Sequence, residues 1–547
     1  MTDAPDAIVV GAGPNGLVAA NILADAGLRV VVLEAQPEPG GAVRSDRDVH
    51  PDYVSDLFSS FYPLAAASPT IGALELERWG LEWSHAPSVL AHPLPDGRCA
   101  VLHRDREDTA RVLDSFSPGD GEAYLRLAGL WDRLGPDLIG AALTPFPPVR
   151  PALSLAARLR AAGGLRLLRT LLLPVRRLGE EEFGGQGGPL LLAGCALHTD
   201  LFPESTASAV YGWLLAMLGQ EVGWPVPTGG AGSLTAALVR RLESLGGTVR
   251  CGARVTEVVV RGGRALGVVT EGGDAVRARR AVLADVPAPV LYGGLVGWEH
   301  LPARLRDDIR RFQWDTSTVK VDWALSGPIP WSAPEAAGAG TVHLADDMDH
   351  LTRHSAQLAS GLVPDRPFCL LGQMTTADPS RSPAGTESAW AYTHVPQRVR
   401  GDAGDGSVTG GWGPGEREAM ADRVEEEVER RAPGFRALIR KRRVLAPVDL
   451  QARDENLVGG AINGGTAAVH QQLFFRPVPG TGRAATPVRG LYLASSSAHP
   501  GGGVHGACGA NAARAALAAD RPVARYLLGP AQSALQRAAM RTGGRPR

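Results

Sequence analysis

Four residues near the start of the chain have the types and the spacing of a dinucleotide-binding site. Gly11, Gly13 and Gly16 follow the pattern G-x-G-x-x-G, and Glu34 comes directly after the next apolar run. Gly11 permits a tight turn, Gly13 lets the backbone approach a pyrophosphate, and Gly16 lets a helix pack closely on a strand. The Glu34 carboxylate can accept hydrogen bonds from both ribose hydroxyls and would repel a 2′-phosphate. We therefore expect an unphosphorylated adenosine nucleotide, FAD or NAD.

A second glycine-rich turn, near the other end of the chain, lies between two histidines. His499 precedes Pro500–Gly503, His505 follows it, and the Ala-rich segment Val504–Ala519 predicts a helix. Backbone N–H groups at the start of that helix would form a second site for an anion or a dipole. A histidine here can donate to a bound ring or change substrate protonation, or it can simply cap the turn. Two such sites suit an extended dinucleotide with a ring system at its far end.

The first motif requires a strand, a helix and a second strand to position it. Ala7–Val10 predicts a buried parallel strand, and the helix that follows is expected to stop at Gly27. The second strand, Leu28–Leu33, delivers Glu34. Residues 225–287 predict a loop, a helix and strands that return to this domain, and the strand RAVLAD (280–285) closes them. Leu491–Ala494 predicts one further strand.

The middle of the chain has a different character. Residues 59–223 lack an alternation of strands and helices and predict a largely helical region with a few short strands. Within it, residues 150–178 hold seven arginines and no acid, interleaved with leucines; this amphipathic stretch could lie on a membrane, cover an apolar channel, or be a solvated helix face. Residues 301–442 contain STVKVDWAL, TVHLA, PFCLLGQMT and AWAYTHV, which predict a second sheet, and the helix EREAMADRVEEEVERRAPGF ends them.

The composition of the 547 residues narrows the class of protein. The hydrophobic content of 44% and charged content of 21% are globular values, and a net charge of -1 gives no indication of nucleic-acid binding. The five cysteines lie far apart without a C-x-x-C pair, which predicts reduced thiols and argues against a disulfide reductase. We see no metal-ligand spacing, signal peptide or membrane-spanning run. We expect a cytoplasmic protein without a metal, soluble or associated with a membrane surface.

The motifs together resemble the FAD-dependent oxidoreductases of the phytoene desaturase type, in the flavin amine oxidase-like superfamily. The resemblance is greatest to the branch called pyridine nucleotide-disulfide oxidoreductase domain-containing proteins. It is carried by VVGAGPNGLVAA with Glu34 and Gly40-Gly41, by PTGGAGSLTAAL with GARVTEVVV, by FFRPVPG, and by GLYLASSSAHPGGGVHGACGANAAR. It implies an α/β fold, with a Rossmann-type FAD-binding domain of the GR2-like kind (1–85, 225–300 and 443–528), an inserted mixed α+β substrate domain (86–224 and 301–442) and a tail (529–547).

The resemblance also implies which residues hold FAD. The ADP half would meet the first motif, Arg44 would lie near the pyrophosphate unless it is a plain surface arginine, Val255 would contact adenine through its backbone, and the C-terminal turn would line the ribityl and flavin end. The expected cofactor-binding residues are Gly11, Gly13, Pro14, Asn15, Gly16, Glu34, Ala35, Gly40, Gly41, Ala42, Arg44, Val255, Ser495, Ser496, Gly502, Gly503 and Val504. Ala42 replaces a common arginine, and Ser495-Ser496 replaces the commoner Gly-Ala or Gly-Asp.

Three functions remain open at this point. The first is a dehydrogenase or desaturase that removes hydride from a mostly apolar small molecule. The second is an amine oxidase, which would need a lysine near the flavin N5. Lys320 on VKVDWAL resembles that lysine, and alternation places it with Asp322 opposite Val319, Val321 and Trp323; the alternative role of Lys320 is an ion pair with Asp322. The third is a regulatory flavoprotein without turnover. No second nicotinamide motif appears, so oxygen or a quinone is the expected acceptor.

Overall fold

The first apolar run of the chain becomes the central strand of a five-stranded parallel sheet in the computed structural model, which describes residues 4–145, 148 and 164–519. Ala7–Val10 pairs with Val30–Leu33 on one side and with Ala281–Ala284 on the other. The strand order is Leu491–Leu493, Ala281–Ala284, Ala7–Val10, Val30–Leu33, Thr248–Arg250. We call it the nucleotide sheet. The RAVLAD segment, predicted to close the sheet, therefore lies inside it, between Ala7–Val10 and Leu491–Leu493.

Three helices cover one face of the nucleotide sheet. They are Pro14–Asp25, Gly232–Ser244 and Ala507–Ala519. The first is followed by Gly27 with φ +78°, so the predicted stop is confirmed. A Cβ on Gly509 would lie 1.9 Å from the Asn15 carbonyl oxygen, so glycine is required where the first and last helices cross. The last helix begins at Ala507 rather than at Val504, because Nδ1 of His505 accepts the amide proton of Ala507 and caps it.

A second layer packs on the opposite face of the nucleotide sheet. Ile8, Val10 and Val31 contact a three-stranded antiparallel sheet there. Its strands are Val255–Arg261, Arg264–Thr270 and Ala275–Arg277. Of the two strands predicted in TVRCGARVTEVVV, only the first joins the nucleotide sheet. Further helical segments in this layer are Ala288–Val290, Leu291–Leu295, Trp298–His300 and Ala303–Ile309.

The four strands predicted between residues 301 and 442 are present in a seven-stranded mixed sheet. Its order is Ile439–Leu445, Ser317–Leu325, Glu387–Val395, Cys369–Gln373, Ala339–Leu344, Ser88–Pro93, Cys99–Leu102. Only the pair Ala339–Leu344 and Ser88–Pro93 is parallel. The boundary predicted between the substrate domain and the last segment of the FAD-binding domain, at residues 442 and 443, falls inside the strand Ile439–Leu445. The predicted closing helix is Pro414–Glu429, followed by the short Phe435–Leu438.

The two faces of this sheet differ sharply in chemistry. Val319, Val321 and Trp323 point to one face and pack on the helix Pro414–Glu429 in an apolar core. The register pairs Lys320 with Tyr392, Tyr392 with Leu370, and Leu370 with His343, and directly paired residues share a face. The predicted alternation around Lys320 is therefore confirmed. We call the face that carries this row the cavity face.

A helical region covers the cavity face from the side. Its helices are Arg106–Asp114, Asp120–Leu143, Leu165–Leu172, Val175–Glu182, Gly187–Ala196 and Ser208–Glu221. Of the arginine-rich stretch 150–178, residues 150–163 lie outside the described residues. Among the described residues no helix is long and apolar enough to cross a bilayer.

The remaining described elements are short, apart from the helix Met348–Ala359. Paired strands are Ser45–Asp46 with Ser55–Asp56, Trp83–Ser84 with Val226–Pro227, and Leu362–Val363 with Gly401–Asp402. Other helical segments are Pro63–Ala66, Pro69–Gly72, Leu76–Trp79, Pro334–Gly338, Met348–Ala359, Met374–Ala377, Pro379–Arg381, Pro447–Arg453, Val458–Gly460, Val469–Gln471 and Leu473–Phe475. Several of them connect the nucleotide sheet with the seven-stranded sheet and so define the space between the two.

Candidate active site

A cavity of about 310 Å³ lies between the nucleotide sheet and the seven-stranded sheet. One end meets the glycine-rich turns of the nucleotide sheet, and the other end meets the cavity face. The residues that line it include Gly13, Pro14, Asn15, Gly41, Ala42, Phe61, Leu215, Thr318, Lys320, Trp390, Tyr392, Asn463, Gly464, Ser496, Gly502, Gly503 and Val504. Many of these are residues that the sequence assigns to cofactor binding, and they come from both ends of the chain.

Two glycine turns meet at the first end of the cavity. Gly11 has φ +94°, and a Cβ on Gly16 would lie 2.2 Å from the Gly11 carbonyl oxygen. The Gly40 amide donates to the Ala12 carbonyl at 2.9 Å. A Cβ on Gly41 would lie 3.1 Å from the Gly13 Cα, so the two turns approach backbone to backbone. This arrangement leaves main chain exposed to a ligand where side chains would otherwise stand.

Glu34 lies buried directly beside the first glycine turn. Its Oε2 accepts the amide proton of Ala12 at 2.7 Å, and its Oε1 accepts that of Gln36 at 2.8 Å. The Ala253 amide donates to the Glu34 carbonyl at 2.7 Å, which brings the segment before Val255 alongside. The backbone thus fixes the orientation of this carboxylate, and each oxygen keeps a lone pair for a ribose hydroxyl.

Two buried acids, which the sequence analysis missed, stand at the same turns. Asp285 follows the strand Ala281–Ala284, and its Oδ2 accepts the Gly16 amide proton at 2.7 Å. A Cβ on Gly13 would lie 2.9 Å from that oxygen, so Gly13 also makes room for Asp285. Burial raises the pKa of Asp285 to about 8 and the pKa of Asp454 to about 6. An acid directly after a predicted parallel strand was the available signal, since ligands bind at the carboxyl ends of such strands.

Two residues that line the cavity carry buried polar atoms without partners. Among the described residues, Oδ1 of Asn15 and Nδ2 of Asn463 are buried without a hydrogen-bond partner, and both residues line the cavity. Buried polar groups normally have partners, so these atoms indicate a polar ligand. Together with the close glycine turns and the buried Glu34, they fit an adenosine dinucleotide cofactor.

The C-terminal glycine turn packs against the loop that contains Asn463 and Gly464. A Cβ on Gly464 would lie 2.1 Å from the Ser496 Oγ, and a Cβ on Gly502 would lie 2.8 Å from the Asn463 Oδ1. The buried Arg476 donates to the carbonyls of both loops, including Ser496 at 2.7 Å and Asn463 at 2.9 Å. Arg476 belongs to the FFRPVPG motif, whose role the sequence alone did not reveal.

The two histidines that flank this turn make contacts within the protein. Nδ1 of His505 accepts the Ala507 amide proton at 3.0 Å, and Nε2 of His499 lies 2.9 Å from the Thr144 carbonyl oxygen. Burial lowers the pKa of His505 to about 4 and also lowers the pKa of His499. Neither side chain is among those that line the cavity. Both rings thus hydrogen-bond to the protein, while Nδ1 of His499 is buried without a hydrogen-bond partner among the described residues. Contact of either ring with cofactor or substrate stays a prediction.

Lys320 lines the cavity and is also ion-paired. It is 3% exposed, forms a salt bridge with Asp322, and donates to the Asp56 carbonyl at 2.9 Å. Burial lowers the pKa of Lys320, and Asp322 opposes that shift. The ammonium nitrogen lies 5.7 Å from the centre of the Trp390 ring. The structure thus contains the ion pair and also places Lys320 in the cavity wall.

Aromatic side chains form the wall near Lys320. Trp390 and Tyr392 lie side by side on the cavity face, with ring centres 5.9 Å apart and an interplanar angle of 19°. The ring centres of Phe61 and Trp390 are 6.2 Å apart, and Trp224 also lines the cavity. These rings make the far part of the cavity apolar.

Three further residues predicted to bind the cofactor, Arg44, Ser495 and Ala35, are not among those that line the cavity. Nε of Arg44 donates to the Gly41 carbonyl at 3.0 Å, and its guanidinium lies 5.6 Å from the centre of the Phe58 ring. Ser495 is buried beneath the C-terminal turn, and its hydroxyl accepts the Ser497 amide proton. Ala35 directly follows the buried Glu34 and is itself half-buried. Arg44 is therefore more than a surface residue, because it stabilises the second glycine turn.

Comparison with known proteins identifies relatives that span nearly the whole chain. The family described as flavin containing amine oxidoreductase matches residues 15–517. Pyridine nucleotide-disulfide oxidoreductase domain-containing protein 2 of Rattus norvegicus is 30% identical over 550 residues, covering 93% of this chain and 92% of the rat protein. A lycopene-forming phytoene desaturase of Paracoccus sp. is 26% identical over 536 residues, covering 94% and 97%. The structure of cyclohexylamine oxidase from Brevibacterium oxydans shares the fold with a TM-score of 0.58, 16% identity, and coverage of 94% and 99%.

Proposed function

Because this chain belongs to the family of flavin containing amine oxidoreductases, it is an FAD-dependent oxidoreductase, and we propose that it removes hydride from a mostly apolar small molecule. The reaction is that of a dehydrogenase or desaturase. A regulatory role without turnover is not retained, since the family and the desaturase relatives indicate an enzyme.

The proposal assigns the two ends of the cavity different tasks. Glu34 and the Gly13 and Gly41 turns would hold the ADP half of FAD, and the turn Gly502–Val504 would meet its other half. FAD, when bound, supplies the hydride acceptor. Phe61, Leu215, Trp224, Trp390 and Tyr392 form the substrate end, where they exclude water and bind an apolar body.

One observation carries this proposal: a single cavity connects the glycine turns with an apolar, aromatic chamber. A polar or highly charged substrate would leave that chamber poorly matched, because desolvated charges need partners. The test is anaerobic mixing of the FAD-loaded enzyme with a library of apolar and polar metabolites. Loss of the oxidised-flavin absorbance with apolar compounds is expected, and reduction by polar compounds alone would contradict the proposal.

A second candidate, amine oxidation with oxygen as acceptor, is favoured by Lys320. Its amine lines the cavity beside Trp390, where burial lowers its pKa. The ion pair with Asp322 supports a structural role instead. Release of hydrogen peroxide during turnover of an amine would favour the oxidase, whereas reoxidation only by a quinone would favour the desaturase.

We also propose that the described part of the arginine-rich stretch touches a lipid surface. Leu165, Leu168 and Leu172 are 83%, 44% and 57% exposed and recur at i, i+3 and i+7, so they share one helix face. The test is flotation with vesicles of phosphatidylcholine and phosphatidylserine. Replacing the three leucines by serine should abolish flotation, and Leu245→Ser, at another exposed leucine, should not. Flotation that survives the triple change would contradict the proposal.

A further inference from the structure

A pair of hydrogen-bonded histidines stands at the apolar end of the cavity. His198 follows the helix Gly187–Ala196 and lines the cavity, and His343 lies on the cavity face behind it, fully buried. Their Nε2 atoms are 2.9 Å apart. Burial lowers the pKa of His198 to about 3 and lowers that of His343 well below its ordinary value. Both rings are therefore neutral near pH 7, and they share one hydrogen bond.

The surroundings of His343 decide which ring donates. A Cβ on Gly194 would lie 2.0 Å from Nδ1 of His343, so a Cα–H bond of that glycine points at this nitrogen. A proton on Nδ1 would collide with it, whereas a lone pair makes a weak C–H contact. Nδ1 of His343 also has no hydrogen-bond partner among the described residues. The proton of His343 is thus on Nε2, which donates to His198.

The tautomer of His198 follows from that of its partner. Its Nε2 accepts the shared hydrogen bond, and a neutral imidazole carries one proton, so that proton is on Nδ1. Of the two ring nitrogens of His198, only Nε2 has a hydrogen-bond partner among the described residues, and the ring lines the cavity. The indole N–H of the neighbouring Trp224 donates to the Leu215 carbonyl at 3.2 Å. His198 therefore presents a neutral N–H donor to an otherwise aromatic wall.

We propose that His198 is a specificity-determining residue whose Nδ1–H binds an oxygen acceptor of the substrate, and that His343 is the positioning residue that fixes its tautomer. The substrate is then an apolar molecule with a carbonyl, ether or hydroxyl oxygen, rather than a bare hydrocarbon. A buried donor left without an acceptor is costly, so the site discriminates against the hydrocarbon. This inference rests on the proposed function, because it assumes that the substrate occupies this cavity.

The first test measures the tautomers directly. Long-range proton–nitrogen NMR on FAD-loaded protein labelled with ¹⁵N-histidine distinguishes Nδ1–H from Nε2–H, and His198→Phe and His343→Phe assign the signals. We expect His198 as the Nδ1–H form, and in His343→Phe a shift of its signal toward a mixture of tautomers. An Nε2–H form of His198 in the wild type would overturn the inference.

The second test measures specificity with two molecules of the same shape, octan-2-one and 2-methyloct-1-ene. Titration is followed by the absorbance of bound flavin and by tryptophan fluorescence. The wild type should bind the ketone roughly tenfold more tightly, since an unpaired donor costs about that much. His198→Phe should reverse the preference in favour of the alkene, because the ketone oxygen would then be buried without a donor. His354→Phe, at a buried histidine outside the cavity, should retain the ketone preference.

The outcomes separate the two proposals. Absence of a ketone preference in the wild type, or a preference that survives His198→Phe, overturns the role of His198 and leaves an FAD-loaded, reducible enzyme in place. A protein that binds no FAD overturns the proposed function, and the tautomers can still be measured in it.

Discussion

The Asp285→Asn substitution should change how the stability of the protein depends on pH. Burial raises the pKa of Asp285 from 3.8 to about 8, with Asp454 and Glu34 adding to the shift and the Gly16 amide opposing it. The folded protein therefore keeps a proton that the unfolded chain loses above pH 4. The resulting stabilisation is complete below the unfolded pKa and is lost as pH rises through 8. The slope is about 1.4 kcal/mol of unfolding free energy per pH unit.

Over the interval from pH 5 to 8 the loss amounts to about 4 kcal/mol, and entry of water on ionisation would reduce it. Asparagine does not titrate, and its Oδ1 can still accept the Gly16 amide proton that Asp285 accepts at 2.7 Å. The variant should therefore lose this slope and exceed the wild type in stability at alkaline pH.

The assay is urea unfolding of flavin-free protein, followed by tryptophan fluorescence from pH 5 to 9. Asp52→Asn is the control, because that side chain is 69% exposed and should leave the slope unchanged. Equal pH slopes for wild type and Asp285→Asn would refute the reasoning, since they would mean that Asp285 is already ionised in the folded protein.

Four further substitutions test the site. Glu34→Ala removes the acceptor for the Ala12 and Gln36 amides, and FAD should dissociate at least about tenfold more readily, measured as the flavin-to-protein ratio after gel filtration; tight, fully loaded protein would contradict this. Lys320→Met should retain FAD and slow reoxidation by oxygen at least about tenfold, or 1.4 kcal/mol in the barrier, whereas unchanged reoxidation with lower thermal stability would make Lys320 structural. His499→Ala and His505→Ala should lower the unfolding temperature and leave the rate of flavin reduction unchanged; a slowed reduction in either variant would indicate contact with flavin or substrate.

Local sequence patterns predicted the parts of the fold that depend on local interactions. Gly27 ended the first helix as expected, because glycine adopts the left-handed conformation after a helix at little cost. The alternation around Lys320 correctly divided its strand between an apolar core and the cavity face. The start of the last helix was misplaced, because the side chain of His505 provides its cap, and periodicity carries no information about such a cap.

Contacts between distant segments could not be obtained in this way. Asp285 reaches the first glycine turn only because the nucleotide sheet places its strand beside Ala7–Val10. The pairing of His198 with His343 joins the end of a helix to a strand far along the chain, and nothing near either residue predicts it. The domain boundary expected at residue 442 was placed where the predicted helix of the substrate domain ends. It lies within a strand that pairs with Ser317–Leu325.

We propose that FAD bound at the glycine turns accepts hydride from an apolar molecule held against the cavity face. The most direct measurement is anaerobic reduction of the purified protein after quantification of its flavin. We predict one non-covalent FAD per chain and loss of the oxidised-flavin absorbance when an apolar substrate is added without oxygen. The reduction should be slower when Tyr392, on the cavity face, is replaced by alanine. A folded protein that neither retains FAD nor binds it on reconstitution would contradict the account.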